Sequence, residues 1–379
     1  MLTPLVAIVV LALAVAGAAY GYARFRYDQI HKVDVAGEVP AASGKPFNML
    51  VIGSDSRVGN VQGTAHFGTS TKVGGQRSDV DMIWHVAPAT KRITILSIPR
   101  DTLVSMVGKN ISTFGRLNRI NASYNSGPSL LVQTIEANFG IPISHVVQVD
   151  FGGLVGAVNA LGGIHMDFPY PTRTVNPTTG VNESGLDVTT PGCQLLTGTK
   201  ALAVARSRDY QYQANGTWQY TPAGDLGRIK RQDAFMKALI DEAKTKYNPL
   251  TLNALLGSIP QGVAIDSSFS MDGLIGLAES FHSIDATTIS TMTLPTMSRG
   301  YVTPWGDVLF VDQPAAQQLL VSVFGGELTH PTSPPPNTTL EPATPPAVTA
   351  SAPASGHSAA PPAPPPPAAS FDPTPCRPS

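Results

Sequence analysis

At 379 residues the chain is longer than one compact domain needs, and a formal charge of −1 with 13% charged residues excludes a polybasic nucleic-acid arm or an acidic tail as its main device. A hydrophobic content of 42% suffices for a sizeable core, yet 17 of the 34 prolines lie between Pro331 and Pro378, so the average describes two different polymers. Fifteen arginines against ten lysines favour fork-shaped binding of phosphate or carboxylate.

The first predicted element, Leu5 to Tyr22, is apolar and uncharged, and as a helix its 18 residues would span about 27 Å. It has no polar stripe, as a core helix would, and no basic residue before it, as a signal peptide would. A membrane anchor is the expectation. Arg24 and Arg26 follow the span, an order that by itself would put the body in the cytoplasm. The chain thus divides into an anchor (1–23), a linker (24–45), a globular body (46–328) and a disordered Pro/Ala-rich tail (329–379), whose lack of large apolar residues leaves nothing to offset ordering entropy. Deleting residues 335–379 is expected to leave the melting temperature unchanged.

Within the body, apolar runs predict strands at Phe47–Ile52, Met82–Val86, Ile93–Ile98, Val146–Phe151, Ile164–Phe168, Ile289–Leu294 and Val308–Val311. Helices are expected after Gly127-Pro128 up to Gly140, then at Leu154–Leu161, Thr197–Ala205, Leu226–Lys246, Ser270–His282 and Pro314–Val323. This alternation predicts an α/β fold with a sheet sandwiched between helices. Cys193 and Cys376 are too few to define a framework, and a bridge tying the tail back across about 180 residues is disfavoured as a staple. His85 and His145 lie in strand patterns and read as packed or edge residues. No P-loop, dinucleotide fingerprint, nucleophile elbow or zinc spacing occurs.

The chemistry gathers where strands give way to loops, the usual place for ligands in α/β sheets. GSDSR (53–57), RSDVD (77–81), SIPRD (97–101), ARSRD (205–209) and DLGRIKRQD (225–233) hold Arg57, Arg77, Arg100, Arg206, Arg208, Arg228 and Arg231. Arg206 and Arg208 share a face if extended; Arg228, Arg231 and Gln232 share a stripe if helical. Bidentate guanidinium groups in this number suit a diphosphate, and Asp55 and Asp79 would pair with them or hold a divalent cation. Ordinary surface salt bridges, each worth about 0–1 kcal/mol, are the bland alternative. Apolar segments at 154–161, 235–240 and 252–259 could line a lipid groove or be plain core.

NMLVIGSDSR (48–57), RSDVDMIWHV (77–86), ITILSIPRDTLV (93–104), RINASYNSG (119–127), VDFGGLVGAVNALGGI (149–164), LTGTKALAVARSRD (196–209) and DLGRIKRQDAF (225–235), in this order, resemble the LytR-CpsA-Psr family of cell-wall glycopolymer ligases. The resemblance implies a three-layer α/β/α sandwich with a mixed central sheet, held outside the cell membrane by a single span. It implies a phosphotransferase that moves a glycopolymer of teichoic acid, arabinogalactan or capsule type from a decaprenyl or undecaprenyl diphosphate carrier to peptidoglycan. Carried over by position, Asp55 and Asp79 would hold Mg²⁺ (or Mn²⁺), while Arg57, Arg77, Arg100, Arg206, Arg208, Arg228, Arg231 and Gln232 would grip the diphosphate. Asp101 would orient Arg100, or serve with Asp79 as base for the acceptor hydroxyl. Val80 and Asp81 depart from the family pattern of Thr and an apolar residue, so Asp81 would either crowd the metal or point to the other face of its strand. A polyprenyl diphosphate hydrolase and a non-catalytic wall-polymer binding protein or attenuator stand as alternatives. A DNA-binding reading is poor, since there is no helix-turn-helix signature and no basic stripe.

Overall fold

A computed structural model of the chain describes residues 17–18, 20–41, 44–54, 78–108, 116–221, 224–246, 248–258, 262–283, 288–303, 306–329 and 371–377. Elements run β1 (His31–Val33), β2 (Phe47–Ser54), β3 (Ser78–Ala87), β4 (Arg92–Ile98), β5 (Leu103–Ser105), β6 (Leu117–Arg119), α1 (Pro128–Phe139), β7 (His145–Val149), α2 (Phe151–Ala160) and β8 (Ile164–Phe168). They continue through β9 (Thr172–Thr174), β10 (Asp187–Val188), β11 (Gly192–Leu196), α3 (Gly198–Arg206), β12 (Tyr210–Ala214), β13 (Thr217–Tyr220) and the long helix α4 (Gly224–Thr245). Last come α5 (Pro249–Ser258), β14 (Val263–Asp266), α6 (Met271–Ser283), β15 (Ile289–Thr293), β16 (Thr296–Thr303), β17 (Gly306–Val311), α7 (Gln313–Phe324) and β18 (Thr374–Pro375).

Seven strands form one sheet in the order β1-β14-β7-β2-β3-β4-β15. β2 is antiparallel to β3 and parallel to β7, while β15 runs parallel to β4, so the central sheet is mixed. Period-two alternation divides its side chains. Leu50, Ile52, Ile83, Leu96 and Ile98 face α1 and α7, where they meet Leu131, Ile135, Phe139, Leu320 and Phe324. Met49, Met82, Trp84, Ile93 and Ile95 face the other way, against Tyr27, Ile240 of α4 and Met271 of α6. Helices on both faces make the three layers. The Pro128 start and Gly140 stop of α1 are as expected, with Gly140 in the left-handed conformation at φ 68°.

A second body packs on the outer side of α4. Its core holds Ile164, Met166 and Phe168 of β8, Leu196 of β11, Val204 of α3 and Tyr210 of β12, closed by Phe235 and Ala238 of α4. Strands β9, β10, β12 and β13 form a small sheet, and β11, β8 and β18 another. These short, polar strands carry no apolar run, and sequence patterning does not foresee them, β8 apart.

Two expectations are corrected here. Residues 371–377 are not a disordered end: Thr374 and Pro375 pair with Asp167 and Met166 of β8. Phe371 stacks on Tyr212 with centroids 4.0 Å apart. The disfavoured bridge also exists. Cys193 and Cys376 are joined, with Cα atoms 5.9 Å apart, because Cys193 lies on β11 and Cys376 directly follows β18, the two strands that flank β8. Of the predicted anchor, residues 17–18 and 20–22 are described and helical, and the rest lies outside the described residues. Among the described residues no helix is long and apolar enough to cross a membrane.

Candidate functional site

A cavity of about 320 Å³ opens between the ends of β2, β3 and β7 and the helices α2, α3 and α4. Its polar part carries Ser54, Asp79, Arg206, Arg208, Arg228 and Gln232. Its apolar part is walled by Val51, Met82, Leu154, Leu202, Phe235 and Leu239. Local sequence explains how the walls meet. A Cβ at Gly198 would lie 2.4 Å from the Val155 carbonyl oxygen, so glycine alone lets the start of α3 rest on α2. That contact carries Arg206, the last residue of α3, over the Phe151 ring at 4.5 Å. Along α4, Arg228, Gln232, Phe235 and Leu239 recur at i, i+4, i+7 and i+11, a single stripe that passes from cationic to apolar.

Asp79 sits among three guanidinium groups. Its Oδ1 lies 2.7 Å from Arg100, 3.8 Å from Arg208 and 3.9 Å from Arg228. Burial pushes the Asp79 carboxyl upward, but Arg228, Arg100 and Arg208 together outweigh it and hold it below the ordinary carboxylate range. Arg228 also donates to the Asp79 carbonyl oxygen at 3.2 Å, with only 4% of its side chain exposed. Behind Arg100 stands Asp101, 3.4 Å from Arg100 Nε and 2.8 Å from Arg119. Neither Arg100 nor Asp101 is among the residues that line the cavity, and Asp101 touches Arg100 from behind.

Asp81 settles to the far side of β3. Its cross-strand neighbours Ile52 and Ile98 belong to the core under α1, and Ser78 donates to it at 3.0 Å. Burial pushes its carboxyl up to about 7. It therefore does not crowd the cavity, whose wall is made by Val80 and Met82 on the other face.

The cavity brings together Asp79, Arg206, Arg208, Arg228 and Gln232, all expected to act together. Asp55, Arg57 and Arg77 lie outside the described residues. Arg231 is a correction. It is 1% exposed and absent from the cavity wall, because its fork turns into the second body to bind Ser207 and Asp372. Of the segment at 252–259, none of the described residues lines the cavity, and Ile259 lies outside the described residues. Asp150, Asp209, Glu183, Ser184 and Thr174 do, and sequence reasoning missed them as site residues. Asp209, inside ARSRD, and Asp150, inside VDFGGLVGAVNALGGI, lay in segments that the sequence singles out. Asp150 caps α2 by accepting from Gly153 N at 2.8 Å.

Among the described residues no group of three or more His, Cys, Asp or Glu could hold a metal. Asp79 fits as one ligand of such an ion. Among the described residues, Arg100, Arg208 and Arg228 each approach Oδ1, and the residue lines the cavity.

The fold and site thus define a class: an α/β/α domain with a cavity that is lined by arginines at one end and by apolar side chains at the other. Residues 17–322 match the LytR_cpsA_psr family, and the chain belongs to it. It is similar to the probable cell wall biosynthesis protein LcpB of Corynebacterium glutamicum, 33% identical over 226 residues that cover 58% of this chain and 48% of that protein. It is likewise similar to the polyisoprenyl-teichoic acid–peptidoglycan teichoic acid transferase TagV of Bacillus subtilis, 32% identical over 219 residues, 58% of this chain and 49% of that protein. The chain spans about half the length of these two relatives. The solved LytR-Csp2A-Psr enzyme from Actinomyces oris shares the fold with a TM-score of 0.59 at 24% identity, covering 80% of this chain and 97% of that one.

Proposed function

We propose that the domain is a phosphotransferase that moves a glycopolymer from a polyprenyl diphosphate carrier to peptidoglycan. One observation supports this above all: a single cavity offers three arginines at one end and an apolar wall at the other. A lipid diphosphate is an anion joined to a hydrocarbon, and each methylene buried adds about 0.8 kcal/mol. The teichoic acid transfer named for the Bacillus relative is of this class.

Arg206, Arg208 and Arg228 would bind the diphosphate oxygens and neutralise the charge that develops on them, where most phosphoryl-transfer catalysis resides. The acceptor hydroxyl oxygen attacks the phosphorus that bears the glycan. The bridging P–O bond breaks, polyprenyl monophosphate leaves with the electron pair, and the hydroxyl proton passes to the leaving phosphate or to water. Asp79, held ionised by its arginines, is a poor proton acceptor and is better suited to hold a cation. Together with Asp55 it would bind Mg²⁺ or Mn²⁺, which supplies further neutralisation of phosphate charge. The span at residues 5–22 would anchor the chain in the cell membrane, with the domain outside.

The test is an assay of the full chain with a polyprenyl diphosphate-linked glycan, with and without a peptidoglycan acceptor. Transfer of the glycan with release of polyprenyl monophosphate, lost on chelation by EDTA, is the expected result. Equal release without acceptor would make the protein a hydrolase. No turnover under either condition, with the lipid bound, would leave a binding protein.

A further inference from the structure

Arg231 is one of the largest fully buried side chains, and its guanidinium is engaged on three sides. Nε donates to Ser207 Oγ at 2.6 Å and Nη2 to the Ser207 carbonyl at 2.9 Å. Nη1 donates to Asp372 Oδ1 at 2.7 Å, and the group lies over the Tyr210 ring at 4.6 Å. Asp372 is its one ion-pair partner among the described residues.

Ser207 is the residue between Arg206 and Arg208, both on the cavity wall. It ends α3 with an extended backbone (φ −62°, ψ 125°), has no exposed surface, and donates its hydroxyl to Val204 at 2.7 Å. A helix end has no continuing ladder to fix the direction of the next residue. Here the fork of Arg231 fixes it, from outside the cavity.

What fixes Arg231 arrives from the far end of the chain. Phe371 stacks on Tyr212, and its carbonyl accepts from the Tyr210 hydroxyl at 3.0 Å. β18 and the bridge at Cys376 hold the other side of Asp372. The carboxylate is therefore presented to Arg231 by a segment clamped on both flanks.

We infer that Asp372 is a positioning residue for the anion site: it holds Arg231, which fixes Ser207 and thereby the aim of Arg206 and Arg208 at the diphosphate. This rests on the reading of the cavity as a diphosphate site. A buried guanidinium that loses its counter-ion must leave its pocket or stay at a large cost, and leaving breaks the fork on Ser207. Neutralising Asp372 thus disturbs two arginines that it does not touch.

The experiment measures binding of farnesyl diphosphate and farnesyl monophosphate to the full chain and to Asp372→Asn and Phe371→Ala. Asp372→Asn is expected to weaken the diphosphate about ten-fold and the monophosphate much less, since the second phosphate is what needs the paired arginines aligned. Phe371→Ala loosens the same segment but keeps the carboxylate. It is expected to lower the melting temperature while keeping the preference for diphosphate. Wild-type binding by Asp372→Asn overturns the inference alone. An equal loss for both lipids, in step with the fall in melting temperature of both variants, reduces the pair to a structural anchor and also overturns it. A wild-type chain that binds neither lipid removes the site reading, and the inference with it.

Discussion

Helix α4 presents two neighbouring stripes to two different bodies, and similar residues have different fates on them. On the cavity stripe, Arg228 and Gln232 line the cavity, and among the described residues Asp79 lies 3.9 Å from Arg228. On the adjoining stripe, Arg231 and Ala238 meet packed protein, and Arg231 is satisfied by Ser207 and Asp372. A third stripe faces the central sheet, where Asp233 accepts from Ser97 at 2.9 Å and Ile240 joins the core. The lesson concerns spacing. Residues at i, i+3 and i+4 lie close on a helix, but long side chains can lean either way. The partner decides the direction, and for Arg231 that partner comes from 141 residues away.

The largest expected effect breaks the packed side. Ending the chain after residue 370, or replacing Cys193 and Cys376 by serine, removes a crosslink that closes a loop of 183 residues. A loss of about 3–5 kcal/mol follows, and truncation also leaves Arg231 unpaired. The melting temperature should fall by roughly 10 °C in calorimetry. An unchanged value would mean that the terminal segment does not pack as described.

The next effect belongs to the cavity side. Arg228→Ala removes a charge-assisted contact beside Asp79 without touching the second body. Affinity for farnesyl diphosphate should drop about ten- to hundred-fold, with circular dichroism unchanged. Undiminished affinity would take the diphosphate away from this stripe.

A smaller effect tests the sheet side. Burial pushes the Asp233 carboxyl up to about 6, with the Ser97 hydroxyl and Lys237 opposing. Its folded value lies above the unfolded one, so the folded state binds the extra proton between about pH 4 and 6. Stability from this group is present below that window and is lost as pH rises through it, on the order of 1 kcal/mol for each pH unit. Asp233→Asn should flatten urea-denaturation midpoints between pH 4 and 6 and raise them above pH 6. An unchanged pH profile would place Asp233 in contact with water.

Much of this was legible in the sequence, for identifiable reasons. Apolar runs at 47–52 and 93–98 mark the central strands, and Pro128 and Gly140 bracket α1, because both signals are local. Arg206, Arg208, Arg228 and Gln232 were legible since each ends or lines an element whose type is itself legible. The cysteine pairing was not, because proximity across β8 is a property of strand order and no local pattern encodes it. The second body was hidden for another reason. Its strands, such as Thr217–Tyr220, are short, polar and exposed, so they carry no alternation of burial to read. Asp81 shows the same limit at one position: only the register with Ile52 and Ile98 tells that it points into the core.

The smallest expected effect is the sharpest control on the comparison. Lys230 lies two residues from Arg228 and one from Arg231, carries the same charge, and is exposed. At about 100° per residue it stands well away from the cavity stripe, where a cation is hydrated and screened. Lys230→Ala should leave farnesyl diphosphate affinity within about two-fold, and the melting temperature nearly unchanged. If the cavity instead attracts its ligand by net positive charge, Lys230→Ala and Arg228→Ala would weaken binding alike at low salt, and both losses would fade as salt is added. If geometry governs, Arg228→Ala alone weakens binding, and most of its loss persists at high salt. Titrations of both variants at two ionic strengths separate a field spread over the surface from a grip built on one stripe of α4.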